Sequence, residues 1–143
     1  MSGARFARLA LGAGLLGMLC GCSLEGPALY PPADGEAPRV VASWPPAGWI
    51  QVPPAVRPRV WFSEPLDAGS LAPGSVRLWS GEREERPGLT AGAEEDGRGV
   101  LALEPVRPLL GGARYHLRVE GWVADLHGNL MGEAFELTFH TAP

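Results

Sequence analysis

The chain has no lysine at all: its 12 basic residues are all arginine, set against 16 acids. It has two cysteines in 143 residues, Cys20 and Cys22, both near the N-terminus. A domain built from the remaining residues therefore has no pair for an internal disulfide and has to be held by its apolar core. The N-terminal run rich in Leu, Gly and Ala falls short of the roughly 20 apolar residues needed to span a bilayer as a helix. That run, Leu9 to Leu19, has 11 residues and three glycines. No Gly-x-Ser-x-Gly elbow or strong phosphate-binding loop is present, and no cysteine nucleophile stands outside the N-terminal pair. Those absences argue against an enzyme and against a cofactor. Without Arg5 and Arg8 the chain keeps 10 arginines against 16 acids, a charge of −6. That acidity argues against nucleic acid as a partner and against docking on anionic lipid through basic patches. The missing lysine, together with 20 glycines and 15 prolines, is read as the codon bias of a GC-rich genome rather than as chemistry.

Arg5 and Arg8 precede the apolar run, and small residues follow it, which is the pattern of a secretory signal. Its last residues, Leu19-Cys20-Gly21-Cys22, resemble a bacterial lipobox, with leucine three places before the modified cysteine and a small residue just before it. Cys22 fits that frame and Cys20 does not, because bulky Leu19 precedes Cys20. The resemblance implies cleavage after residue 21, lipid attachment at Cys22 and acylation of the freed amine. Ser23 in place of an aspartate resembles the default for transport to an outer membrane. Two or three acyl chains anchor stably where one binds only reversibly. Ordinary secretion with a free cysteine is the competing reading.

Residues 22–37 read as a tether. Pro27, Pro31 and Pro32 sit among Gly26, Asp34, Gly35 and Glu36, with Leu29 and Tyr30 alone able to pack. Extended polyproline geometry at about 3.1 Å per residue would give such a segment a reach of up to about 45 Å.

From residue 38 onward the hydrophobic period is two. Ala113, Tyr115, Leu117 and Val119 alternate with Arg114, His116, Arg118 and Glu120, as in a half-buried strand. Phe135, Leu137 and Phe139 alternate with Glu136, Thr138 and His140 in the same way. Further strands are expected at Arg39–Ser43, Val56–Phe62, around Val76 and Leu78, at Leu89–Ala93, and around Leu101 and Leu103. Pro58 implies an edge or an irregular start to its strand. Asp96-Gly97 suits a tight hairpin turn, and Asp67 to Leu71 suits one helical turn. Seven short strands with alternating faces and no long helix describe an all-β, antiparallel β-sandwich.

The motifs between these strands carry a further resemblance. Pro45-Pro46-Ala47-Gly48 is followed by Phe62-Ser63-Glu64-Pro65, then by Asp125-Leu126-His127-Gly128-Asn129 and Phe139-His140-Thr141. In that order they resemble the bacterial Ig-like domain of the S-layer (SbsA) type, over about residues 37–143. The resemblance implies a seven-stranded Ig-like β-sandwich in residues 38–143. It also implies a non-enzymatic role as a spacer, adhesive or assembly module on bacterial surface and exported proteins.

Asp125, Gly128 and Asn129 read as a structural turn. Gly128 and Asn129 are able to take positive φ, while Asp125 accepts backbone N–H groups across the corner. The rival is a Ca²⁺ site using Asp125 and Asn129 with Glu64 or Asp67, though one loop supplies few of the oxygens that ion needs. Glu82 to Arg86 and Glu94 to Asp96 read as solvated loops. Trp61 and Trp79 fall on outward positions beside Arg59 and Arg77, and Trp44, Trp49 and Trp122 fall in or near turns. Trp61, Trp79 and Arg77 are the candidate binding residues, for a sugar ring or a protein partner. The competing reading is that these rings cover the outer sheet faces. His116 and His140 share an outward parity without a third metal ligand at a recognisable spacing, and His127 reads as solvated. The expectation is a lipid-anchored module of the cell envelope with a protein partner, or else a carbohydrate-binding module.

Overall fold

The computed structural model describes residues 35–143. The expected signal, the expected lipobox with Cys22 and most of the expected tether lie outside the described residues. No described helix is long and apolar enough to cross a membrane.

Among the described residues, eight strands form two antiparallel sheets. In chain order they are β1 Val40–Trp44, β2 Arg59–Phe62, β3 Val76–Ser80, β4 Arg83–Glu85, β5 Gly88–Ala93, β6 Gly99–Glu104, β7 Arg114–Val119 and β8 Phe135–His140. One sheet runs β1-β2-β6-β5 and the other β4-β3-β7-β8. Period-two alternation explains why they stack. Val60, Phe62, Leu101 and Leu103 from the first sheet, and Leu78, Tyr115, Leu117, Val119 and Phe139 from the second, are all fully buried in one core. Pro58 ends the irregular approach to β2, and its carbonyl still accepts the N–H of Leu103 at 2.9 Å. Asp67 caps a single 3₁₀ turn at Ala68–Ser70, its side chain accepting the N–H of Gly69.

The eighth strand is the departure from expectation. Arg83–Glu85 was expected as part of a solvated loop, and it pairs with β3 through Leu78↔Glu85 and Ser80↔Arg83. Every residue of β4 is charged, so no hydrophobic alternation marks it. Its Glu85 carboxylate accepts from Arg83 at 2.7 Å and takes a hydrogen bond from the buried Tyr115 hydroxyl at 3.3 Å. The same hydroxyl accepts the N–H of Leu110 at 2.9 Å, five residues upstream, which is the tyrosine-corner arrangement of Ig-type sandwiches. Burial pushes the Tyr115 phenol above its ordinary pKa; the Leu110 N–H opposes this, and the Glu85 charge adds to the rise.

The chain changes sheets after β1. Beyond the cis Trp44–Pro45 peptide, residues 48–52 run alongside β8, with Gly48 N–H donating to Thr138, His140 N–H to Trp49 and Val52 N–H to His140. That segment covers the outer edge of β8. Arg39, Phe62, Gly99, Val76, Val119 and Phe135 gather at the end of the sandwich where the chain enters it. Trp44, Arg59, Arg114 and His140 mark the opposite end.

Candidate functional site

The Asp125–Asn129 corner sits in the β7–β8 connection, at the end where the chain enters. Ala124 bridges Leu130, and Leu66 bridges Asp125, so the corner is also stitched to the segment that follows β2. Asp125 is 1% exposed. Its Oδ1 accepts the N–H groups of His127 at 2.8 Å and Asn129 at 2.9 Å, and its Oδ2 accepts the Asn129 side-chain amide at 2.8 Å. Burial pushes this carboxyl up. The Asn129 amide, the N–H groups of Asn129 and His127 and the Glu64 side chain together outweigh burial, so its pKa lies below the usual carboxylate range. Gly128 supplies the positive φ of 86°. Asn129 does not share it, contrary to expectation: its amide is used to hold the carboxylate.

Two residues from outside that turn reading converge here. One oxygen of Glu64, one of Asp125 and one ring nitrogen of His127 lie within 4.8 Å of one another. His127 was expected to be solvated, yet both of its ring nitrogens are buried. Sequence reasoning had Glu64 as one option for a cation site and missed His127. Asp67, the other option, is used in capping the 3₁₀ turn.

The outward tryptophans do not meet. Trp61 lies between buried Val60 and Phe62 on β2, so it faces out from the first sheet, where its Nε1 donates to Glu94 at 3.1 Å. Glu94 is thereby a partner of the ring rather than a purely solvated charge. Trp79 follows buried Leu78 on β3 and faces out from the second sheet. The core separates the two rings, so they cannot line one platform. Trp79 stacks on His116 with centroids 5.2 Å apart and planes 12° apart, and the Arg77 guanidinium lies 5.1 Å from its ring centre. Arg77 in turn donates to Glu84 at 3.0 Å. A shallow groove of about 340 Å³ beside this stack is lined by Trp79, His116, Glu136 and Thr138. On the same face Arg118 pairs with Glu120 and Glu136, which raises the guanidinium's pKa further. His140 lies opposite Arg114 and accepts from its Nε at 3.2 Å, while His116 lies opposite Thr138, so the two histidines have separate partners.

Large apolar side chains are exposed at both ends. Trp122, Leu126 and Leu130 are half or more exposed at the entering end, and Trp44, Trp49 and Ile50 are similarly exposed at the other. Trp44 and Trp49 meet edge to face at 4.9 Å.

A family model described as the bacterial Ig-like domain matches residues 34–141. No curated protein matches the chain. The fold is similar to crystal structures of the S-layer protein rSbsC and of the N-terminal part of the bacterial S-layer protein SbsC. Each has a TM-score of 0.53 and 17% identity over 75% of this chain, and the likeness spans 14% and 24% of those chains. It is also similar to PcoC, a copper resistance protein from Escherichia coli, with a TM-score of 0.51 and 15% identity over 72% of this chain and 98% of that one. At such identities the likenesses establish the fold. With the family model spanning nearly all of the described residues, this chain belongs to the bacterial Ig-like domain family.

Proposed function

We propose that the chain is a cell-envelope module, held in an outer membrane through lipid on Cys22, that serves structural assembly or adhesion by engaging a protein partner. One observation carries the reading. The outer face of the second sheet is laced with charge pairs such as Arg77–Glu84 and Arg118–Glu136, while large exposed apolar side chains gather at the two ends of the sandwich. Contiguous exposed apolar surface marks interaction sites in soluble domains. Trp44, Trp49 and Ile50 are exposed together at the end of the sandwich opposite Arg39. The carbohydrate reading is left with Trp79 and Arg77 on one face, because Trp61 lies on the other.

The test has two parts. Wild type should fractionate with envelope membranes and incorporate labelled fatty acid, and Cys22→Ser should lose both. A photo-crosslinker in place of Ile50 should give a discrete envelope adduct identifiable by mass spectrometry, and one in place of Glu95 should not. Unchanged labelling in Cys22→Ser would overturn the anchor. Equal adducts from both positions, or none, would overturn binding through the apolar end.

A further inference from the structure

The cluster at the entering end combines donors that the turn alone does not require. Glu64 follows β2, whereas Asp125 and His127 follow β7, and the stitching of Leu66 to Asp125 brings the two segments together. In Asp125, Oδ1 is filled by two N–H groups, while Oδ2 has one amide donor from Asn129. A carboxylate oxygen can accept two such contacts, so Oδ2 keeps a lone pair for another partner. The Glu64 side chain also hydrogen-bonds this carboxyl. A metal cation between the two carboxyl groups would take the place of that contact. A buried imidazole stands beside them.

We propose that Glu64, Asp125 and His127 form a binding site for a divalent transition-metal ion, with Zn²⁺ as its reference occupant. The donor set decides the class: one imidazole nitrogen with two carboxylate oxygens suits zinc, whereas Ca²⁺ and Mg²⁺ favour all-oxygen shells. Four-coordinate zinc with bonds of about 2.0–2.2 Å places its donors roughly 3.4 Å apart. The present spread of up to 4.8 Å closes to that value by side-chain movements of about 1 Å. Glu64 and His127 are half-buried and can make that movement, while Asp125 is fixed by its three hydrogen bonds. Three protein ligands leave a fourth position for water or for a side chain from another molecule. The ion would clamp the segment after β2 to the β7–β8 corner, beneath exposed Leu126.

The test uses the full chain with Cys20→Ser and Cys22→Ser, so that no thiolate competes for metal. After chelator treatment, saturating Zn²⁺ should raise the thermal midpoint by several degrees, because an ion that binds only the native state stabilises it by mass action. The same concentration of Ca²⁺ should leave it unchanged. Glu64→Gln and His127→Gln should each abolish the rise. Co²⁺ added to the same protein without these two substitutions should give a visible absorption band that Zn²⁺ displaces, a readout that does not depend on either variant folding. No rise and no band would overturn the proposal. So would an equal response to Ca²⁺, or a rise that survives His127→Gln and disappears in His116→Ala.

Discussion

Replacing Asp125 tests whether the corner is held by a buried charge or merely by chain geometry. The carboxylate is 1% exposed and accepts three hydrogen bonds of 2.8–2.9 Å. Hydrogen bonds to a charged group contribute about 1.5–3 kcal/mol each. Their losses are less than additive within one network, and water reaches the half-buried His127 and Asn129 once the corner loosens. Asp125→Ala should therefore cost about 3–5 kcal/mol, a large part of the roughly 5–15 kcal/mol that holds a domain of this size. At about 4 °C per kcal/mol, the thermal midpoint should fall by about 12–20 °C. Asp125→Asn keeps the shape and one acceptor oxygen but sets its NH₂ against the Asn129 amide, and should fall between. The pH dependence separates charge from shape. Asp125 has a folded pKa depressed below the unfolded value near 3.9. Its contribution is present above the unfolded pKa and is lost as pH falls through the folded one. The gap between wild type and Asp125→Asn, read by urea denaturation with tryptophan fluorescence, should be full at pH 7 and shrink below about pH 4. A loss under about 1 kcal/mol for Asp125→Ala, or a gap that does not change with pH, would refute the buried-charge account.

Two further substitutions probe how the sheets are tied. Tyr115→Phe keeps the ring stacked 5.8 Å from Phe139 but removes the hydroxyl that accepts from Leu110 and donates to Glu85, and should cost about 1–3 kcal/mol in urea denaturation. An unchanged midpoint would mean that water replaces it freely. Gly99→Ala would place a Cβ 2.2 Å from the Glu64 carbonyl oxygen and 2.8 Å from the Pro65 Cα, both backbone atoms, and should cost about 1–3 kcal/mol with a local shift visible in amide spectra around Glu64. Unchanged stability and spectra would show that the segment after β2 is not held against β6.

The sequence made the sandwich legible where one face is buried. Tyr115, Leu117 and Val119 stand at alternating core positions of β7, and Leu137 and Phe139 do so in β8, so parity alone assigns their direction. It failed at β4, where charges on both sides of an edge strand erase the signal. Outward parity was also read correctly for Trp61 and Trp79, but parity is local to a strand and says nothing of which sheet the strand joins. Only the order β1-β2-β6-β5 against β4-β3-β7-β8 places those rings back to back. The Asp125 turn was legible because its partners lie within four residues. The approach of Glu64 and His127 was not, since it depends on the Leu66–Asp125 bridge between segments some 60 positions apart.

The corner joins scaffold and surface in one element. Leu126 and Leu130 are exposed because Asp125 turns inward and the Ala124–Leu130 bridge fixes the return strand, so the bonds that stabilise the turn also set the spacing of its apolar side chains. The strand edges of the second sheet offer a partner less. The outer edge of β8 is covered by residues 48–52, and β4 presents only arginine and glutamate, a composition that discourages edge pairing. On the outer face of the second sheet, arginines and acids already satisfy one another, so a partner docking there has to displace an internal charge pair for each contact it gains. At the ends, Leu126 and Leu130, or Trp44 and Trp49, lose water on contact without giving up a partner. The end loops therefore cost a partner less than the outer face or the edges of the second sheet do.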